Sequence, residues 1–348
     1  MTPKRRIVPI FIPHEGCEHE CVFCNQHAIT KSSGYNDATL QDNIKHYDLQ
    51  NINEIISTSY RNNDDNPAEI AFYGGSFTAL PEARQIELLE ATQTFISSGN
   101  FRSIRVSTRP DCIDEKTLVR LKRYGVETME LGVQSMCDDV LSLSNRGHTA
   151  YDTIRAARLI KSYGLSLILQ FMTGLPGDSM FKSVYTAKQI AKLVPNGIRI
   201  YPTVVISGTR LHELWMRGQY MEHTIDDAVD LCARILPIFE RAEIPVIRLG
   251  LNPTEALGAE SVVAGAYHPA FGELVYSRLY YQKARNLLKN SNHGHDVVLT
   301  VKKGHTSMMV GQKRKNIVAL KDEFNLRSIK IVESQHLTES NMNIMINK

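Results

Sequence analysis

Three cysteines, Cys17, Cys21 and Cys24, stand at the spacing C-x3-C-x2-C inside the ten-residue stretch Gly16 to Asn25. Thiolates are soft ligands that select iron–sulfur clusters, zinc or copper(I). Three of them on a cubane 4Fe-4S cluster leave one iron open to a further ligand, whereas a closed tetrahedral zinc site requires a fourth donor. His14, His19 and His27 lie near enough in sequence to complete a Cys3His zinc site, so that reading stands beside the first. The same positions also match the i, i+4, i+7 stripe of a helix, on which cysteine is a small buried hydrophobe. Pro13, Gly16 and the polar run Glu18-His19-Glu20 favour a loop over that helix.

The remaining cysteines, Cys112, Cys137 and Cys232, are scattered and form no disulfide framework, which points to a reducing compartment and a cytoplasmic location. A chain of 348 residues with 43% hydrophobic content can bury a large core, as one barrel or as two domains. The basic start, Met1 to Arg6, is followed by an apolar run that Pro9 and Pro13 interrupt, so neither a signal peptide nor a membrane span is expected. Net charge is +3, and it is unevenly spread: nine Lys or Arg face five Asp or Glu after residue 290. The tail therefore carries a local basic surplus.

The elements that must position the cysteines alternate. Ile7 to Ile12 reads as a strand that delivers the cysteine loop. Apolar residues from Leu40 to Ile56 recur at helical spacing, and the chain breaks at Asp64-Asp65-Asn66-Pro67. Glu69 to Tyr73 is a second strand ending in Gly74-Gly75-Ser76, and a helix from Glu82 to Ser97 stops at Gly99. Strand and helix then alternate through Ser103–Ser107, Asp114–Tyr124, Glu127–Val133, Thr149–Tyr163, Leu165–Phe171 and Ser179–Leu193. After them come a long strand, Ile198 to Ile206, and a helix from Asp227 to Arg241 bent by Pro237. About six βα units predict an α/β fold, a TIM-type barrel that is incomplete, with its site at the carboxyl ends of the strands. The cysteines, Gly74-Gly75-Ser76, Ser107, Gln134 and Gln170 all fall at such ends, on one rim.

In this order, several segments resemble a radical S-adenosylmethionine (SAM) enzyme. They are the cysteine triplet with Phe23 before its last member, Phe72-Tyr73-Gly74-Gly75-Ser76, Glu130-Leu131-Gly132-Val133-Gln134-Ser135, and Met172-Thr173-Gly174-Leu175-Pro176-Gly177. The resemblance implies a partial (β/α)6 barrel over residues 1–250 in which Cys17, Cys21 and Cys24 hold a 4Fe-4S cluster and SAM chelates its open iron. It further implies reductive cleavage of SAM to a 5′-deoxyadenosyl radical that abstracts a substrate hydrogen, with the electron supplied by a low-potential donor. By the same pattern Phe23 and the backbone at Gly74, Gly75 and Ser76 flank the cofactor, Arg146 meets the SAM carboxylate, and Ser107, Gln134 and Gln170 hold its amino-acid and ribose groups. Ser107 departs from the carboxylate often found at its position.

Within the superfamily the chain looks most like the Elongator catalytic subunit and its bacterial relatives, through Ser107-Thr108-Arg109-Pro110-Asp111, Tyr201 to Thr209 and Pro245 to Leu251. The stretch beyond Leu251 is too short for an acetyltransferase domain, so none is expected. Residues 251–290 resemble the C-terminal extension of the shorter bacterial radical SAM proteins, where Tyr267, His268 and Glu273 either line a substrate pocket or pin a loop. Residues 291–348 read as a small basic α/β cap. Its turn, Gly311 to Asn316 with Lys313, Arg314 and Lys315, resembles a KH-like clamp for a nucleic-acid backbone but lacks the second glycine. The expectation is thus a radical SAM enzyme acting on RNA, as in tRNA modification. A radical SAM enzyme acting on a small molecule, like the oxygen-independent coproporphyrinogen oxidases, is the first alternative, and a non-enzymatic metal- or RNA-binding protein the second. No feature of the sequence fixes the oligomeric state.

Overall fold

In the computed structural model, described residues are 6–12, 15–17, 19–25, 49–60, 67–251, 261–290, 294–337 and 343–345. His14 and His27, the helical run from Leu40 to Asp48, the break at Asp64 to Asn66, and Asn252 to Glu260 lie outside them. Seven parallel strands form one sheet: β1 (Ile7–Phe11), β2 (Ala68–Tyr73), β3 (Phe101–Thr108), β4 (Val126–Gln134), β5 (Ser166–Thr173), β6 (Gly197–Pro202) and β8 (Val246–Leu249). They are ordered β1-β2-β3-β4-β5-β6-β8, and the two edges do not pair with each other. The curled sheet is a partial TIM barrel, as the repeating βα units predict.

Local sequence explains the helices that return the chain between strands. Asp114 accepts from Thr117 N at 2.7 Å and caps α4 (Glu115–Arg123). Thr149 and Asp152 form a reciprocal capping box on α6 (Ala150–Ser162), and Thr224 with Asp227 repeats it on α9 (Ile225–Arg241). Ser179 caps α7 (Met180–Lys192). Three more helices, α1 (Leu49–Ser59), α5 (Asp138–Leu143) and α8 (Arg210–Met216), also lie between strands. Gly125 and Gly164, at φ +82 and +72, take the left-handed step that releases the chain into β4 and β5.

Two differences from the sequence reading have physical causes. The helix expected over Glu82 to Ser97 is two, α2 (Glu82–Glu90) and α3 (Gln93–Ser97), because the Thr92 hydroxyl and amide both bond back to Leu89 O. The strand expected over Ile198 to Ile206 divides at Thr203. Its second part, β7 (Val204–Ile206), leaves the barrel and pairs antiparallel with β9 (Val262–Gly265). The barrel instead recruits β8 as its seventh strand.

The main core lies between the outer face of the sheet and the helices. Ile10, Ile70, Phe72, Ile104, Val106, Leu131, Leu169 and Ile200 are fully buried there, each contributing about 1.5–3 kcal/mol by leaving water. A second cluster, including Tyr280, Leu299, Val301, Met309, Ile317 and Leu320, joins the long helix α10 (Phe271–Lys289) to a small sheet ordered β11-β10-β12. That sheet comprises β10 (Asp296–Lys302), β11 (Ser328–Ser334) and β12 (Asn343–Met345). Two helices, α11 (Thr306–Val310) and α12 (Lys315–Phe324), link β10 to β11.

Candidate functional site at the barrel rim

The inner face of the sheet is polar, in contrast to its outer face. Period-2 alternation turns Glu69, Arg105, Glu130 and Arg199 inward. Arg105 places Nη2 2.5 Å from Glu69 Oε2 and Nη1 3.4 Å from Glu130 Oε2. Arg199 Nε lies 2.9 Å from Glu130 Oε1 without the alignment of a hydrogen bond, and its Nη2 donates to Tyr73 Oη at 3.1 Å. Tyr73 in turn donates to Glu130 at 3.2 Å, and the Arg199 guanidinium stands 5.7 Å from its ring centre. Thr128 and Ser103 also donate to Glu69 Oε1, at 3.0 and 3.4 Å. Alternating charges are therefore matched inside the barrel, where an unpaired one would be costly. Burial first, and then the Glu130 carboxylate, push the Tyr73 phenol far above its usual range.

Above this floor, the cysteine loop is gripped by two segments. Ser76 N donates to Glu15 O at 2.9 Å, and Glu15 N to Ile12 O at 3.3 Å. A methyl group on Gly75 would stand 2.3 Å from Glu15 O and 2.6 Å from Ile12 O, and one on Gly16 2.3 Å from Ser76 O. These two glycines let the backbones meet. From the other side, residues 144–147 each touch the loop. Ser144 O accepts from Val22 N at 3.2 Å, Asn145 Nδ2 donates to Glu20 O at 2.8 Å, Arg146 Nη1 donates to Cys21 Sγ at 3.0 Å, and Gly147 lies under the His19 ring. Leu211 N donates to Val22 O at 2.7 Å, and Val22 and Phe23 pack with Val205, Leu211, Tyr220 and Trp215.

The donor set and its surroundings fit a soft metal cluster. None of the three cysteines is in a disulfide among the described residues, and Cys24 N donates to Cys21 O at 3.0 Å. Burial first, and then the neighbouring Cys21, raise the Cys17 thiol above its usual range, and Arg146, Arg109 and a backbone hydrogen bond from Ser76 offset part of that rise. The two guanidinium groups are those that would favour thiolate, the form that binds metal, against the burial that opposes it. His19, one of the three possible zinc donors, has its ring seated on Gly147. Among the described residues no three His, Cys, Asp or Glu side chains are already gathered at coordinating distance.

The other predicted residues divide into two sets. Gly74, at φ +91, and buried Ser76 end β2, and Ser76 Oγ is 3.0 Å from Thr108 Oγ1. Ser107 is half-buried at the end of β3. Gln134 takes φ +62 where the β4–β5 register shifts, and its Oε1 accepts from Gln170 Nε2 at 3.3 Å. These stand on the rim beside the cysteine loop, together with Arg146. Tyr267, His268 and Glu273 lie between β9 and the first turn of α10: His268 Nδ1 accepts from Ala270 N at 3.0 Å before α10, and Glu273 is exposed in that helix's first turn. Tyr267 packs with Val204 and Ile206. Lys313, Arg314 and Lys315 are exposed on the small α/β module. Asn145, Gly147, Arg105 and Arg199 lie outside every motif of the sequence, and Arg109 and Glu130 enter there only as members of longer segments. Charged residues at alternate positions of otherwise apolar strands were the available signal for the inward ion chain.

Residues 11–217 match the radical SAM superfamily, and residues 195–281 the radical SAM C-terminal domain. The tRNA uridine(34) acetyltransferase of Methanocaldococcus infernus is 28% identical over 306 residues, covering 78% of this chain and 55% of that protein. Elongator complex protein 3 of Bos taurus is 26% identical over 288 residues, 74% of this chain and 52% of that one. The chain thus spans about half the length of these relatives. The structure of the archaeal Methanocaldococcus infernus Elp3 with an N-terminal deletion superposes with a TM-score of 0.59 at 24% identity, covering 82% of this chain and 64% of that one, which supports the fold. No helix among the described residues is long and apolar enough to cross a membrane.

Proposed function

This chain belongs to the radical SAM superfamily, and on that premise we propose that it is a tRNA-modifying enzyme whose rim binds a 4Fe-4S cluster through Cys17, Cys21 and Cys24. When bound, the cluster would supply the electron that divides SAM into methionine and a 5′-deoxyadenosyl radical. The observation that carries this reading is the seating of the cysteine loop between Gly75-Ser76 and Ser144–Gly147, with Arg146 on the Cys21 sulfur. The protein's own work is positional. Gly16 and Gly75 bring the loop against β2, Arg146 and Arg109 set positive charge beside the sulfurs and offset part of the cost of burying them, and the Gln134–Gln170 pair lines the rim where ribose and amino-acid groups of SAM would lie.

The RNA substrate rests on relatives named for tRNA uridine(34) and on the basic module. We place the divisions of the chain near residues 250 and 290. In the last part, Lys313 and Arg314 take φ +50 and +62 at the N-terminus of α12, a left-handed backbone that the second glycine of a KH-type loop would otherwise supply. Anaerobic reconstitution with iron and sulfide tests the cluster, with three to four iron and sulfide per chain and formation of 5′-deoxyadenosine from SAM as the expected result. A tetrahedral zinc in anaerobically purified protein would defeat it. Mass spectrometry of tRNA nucleosides from a deletion strain tests the substrate, and an unchanged profile would direct attention to small molecules.

A further inference from the structure

We propose that the outer wall formed by α6 and α7 is an RNA-binding surface, a stripe of unpaired cations and exposed aromatic rings on which a polynucleotide backbone lies. The inference rests on the RNA reading of the function and places the contact somewhere the basic tail does not account for. The two helices hold six Lys or Arg against one acid, Asp152, a surplus larger than the +3 of the whole chain. Asp152 is committed to the Thr149 cap and lies beside Arg155, and Lys182 pairs with Asp139. Arg158, Lys161, Lys188 and Lys192 make no ion pair among the described residues. Lys161 donates to Leu193 O and Val194 O, and Lys192 reaches Gln189; these neutral partners leave both charges uncompensated.

Arg158, Lys161 and Lys192 line a cleft of about 390 Å³ between the two helices, floored by Ile154 and Ala157. Phe181, Tyr185, Lys188 and Lys192 recur at i, i+4, i+7 and i+11, so they share one face of α7. Tyr151 stands two turns before Arg158 on α6. Phe181 is 80% exposed, Tyr151 71% and Tyr185 42%. Single exposed apolar residues are ordinary. Three rings on adjacent helices, interleaved with unneutralised cations, are the arrangement that tracks phosphates and stacks bases without reading sequence.

Direction separates this partner from an acidic protein. In a βα barrel the helices run antiparallel to the strands, so the aromatic ends of α6 and α7 lie at the rim and the cationic ends at the opposite side. The eleven helical steps from Phe181 to Lys192 span roughly 16 Å, about five phosphate steps of a stacked strand. A protein electron donor would have to approach the cysteine loop at the rim, whereas most of this charge lies away from it. A long polyanion meets both ends.

The test is fluorescence anisotropy of an unmodified tRNA transcript with the full chain, from 50 to 200 mM salt. R158Q/K188Q/K192Q should weaken binding about tenfold or more and flatten the dependence of log K on log salt by about two. F181A/Y185A should weaken binding severalfold without changing that slope. All five positions are on the protein surface, so thermal melting of both variants should match wild type. Wild-type affinity and slope in the charge variant would overturn the proposal while leaving the RNA reading intact. No tRNA binding by wild type would overturn both. Displacement of tRNA by poly-glutamate as readily as by unlabelled tRNA, with the aromatic variant unaffected, would assign the wall to an acidic protein instead.

Discussion

The Arg146 guanidinium spans from the cysteine loop to the barrel wall: Nη1 donates to Cys21 Sγ at 3.0 Å and Nη2 to Gly132 O at 2.7 Å. Its Nε is buried with no hydrogen-bond partner in the same pocket. One residue thus couples a cluster-ligand sulfur to the end of β4, where Gln134 turns. Buried charged donors of this kind are worth about 1.5–3 kcal/mol each when matched.

Replacing it should separate the two roles that this position allows. In Arg146→Gln the hydrogen bond and positive charge at the sulfur are lost, so the reduction potential of the reconstituted cluster should become more negative. SAM affinity should fall by about tenfold or more if the same guanidinium meets its carboxylate. Potentiometric titration followed by electron paramagnetic resonance and equilibrium SAM binding read these separately. An unaltered potential would show that the contact with Cys21 does not persist once iron binds.

Gly75→Ala should prevent the loop from seating, because the added methyl meets backbone oxygens at 2.3 and 2.6 Å and neither can rotate away. The expected result is iron content well below wild type after reconstitution. Gly164→Ala is the control: its φ is +72 but open space surrounds it, so it should cost about 1 kcal/mol of stability and leave iron loading intact. Equal iron content in both variants would remove the proposed fit.

Glu130→Gln should destabilise the fold by about 3–5 kcal/mol, since it leaves Arg105 and Arg199 buried with one carboxylate fewer between them. Tyr73→Phe, which deletes the hydrogen bond to the same carboxylate and the acceptor of Arg199 Nη2, should cost about 1.5–3 kcal/mol. Urea unfolding measures both. A loss under about 1 kcal/mol in the first would mean that water replaces the lost carboxylate within the barrel.

Stability should also fall in mild acid through His148. Burial first, and then the Arg146 charge, lower its pKa from the usual 6.5 to about 4, and its Nδ1 has no partner. A base with a folded pKa below its unfolded one binds more protons unfolded, so its contribution is complete above pH 6.5 and is lost as pH drops towards 4. The loss is about 3 kcal/mol at about 1.36 kcal/mol per unit. His148→Gln should flatten the stability profile between pH 6.5 and 4; a parallel profile would assign the acid sensitivity elsewhere.

The sequence by itself determined the features that depend on neighbours along the chain. The C-x3-C-x2-C spacing, the caps at Asp114, Thr149 and Ser179, the left-handed glycines at 125 and 164, and the recurrence of strand and helix are local, and the partial barrel arises from them with the rule that parallel strands need helical crossovers. Tertiary structure decided what depends on distant partners. Arg146 reaches Cys21 across 125 residues, Glu130 is shared by Arg105 and Arg199, and β7 abandons the barrel for β9. Alternation of charged and apolar residues along the strands separates two faces, but which charges pair with which depends on the register between strands far apart in sequence. Only the curl of the sheet sets which charges meet inside and which cations are left on the outer wall.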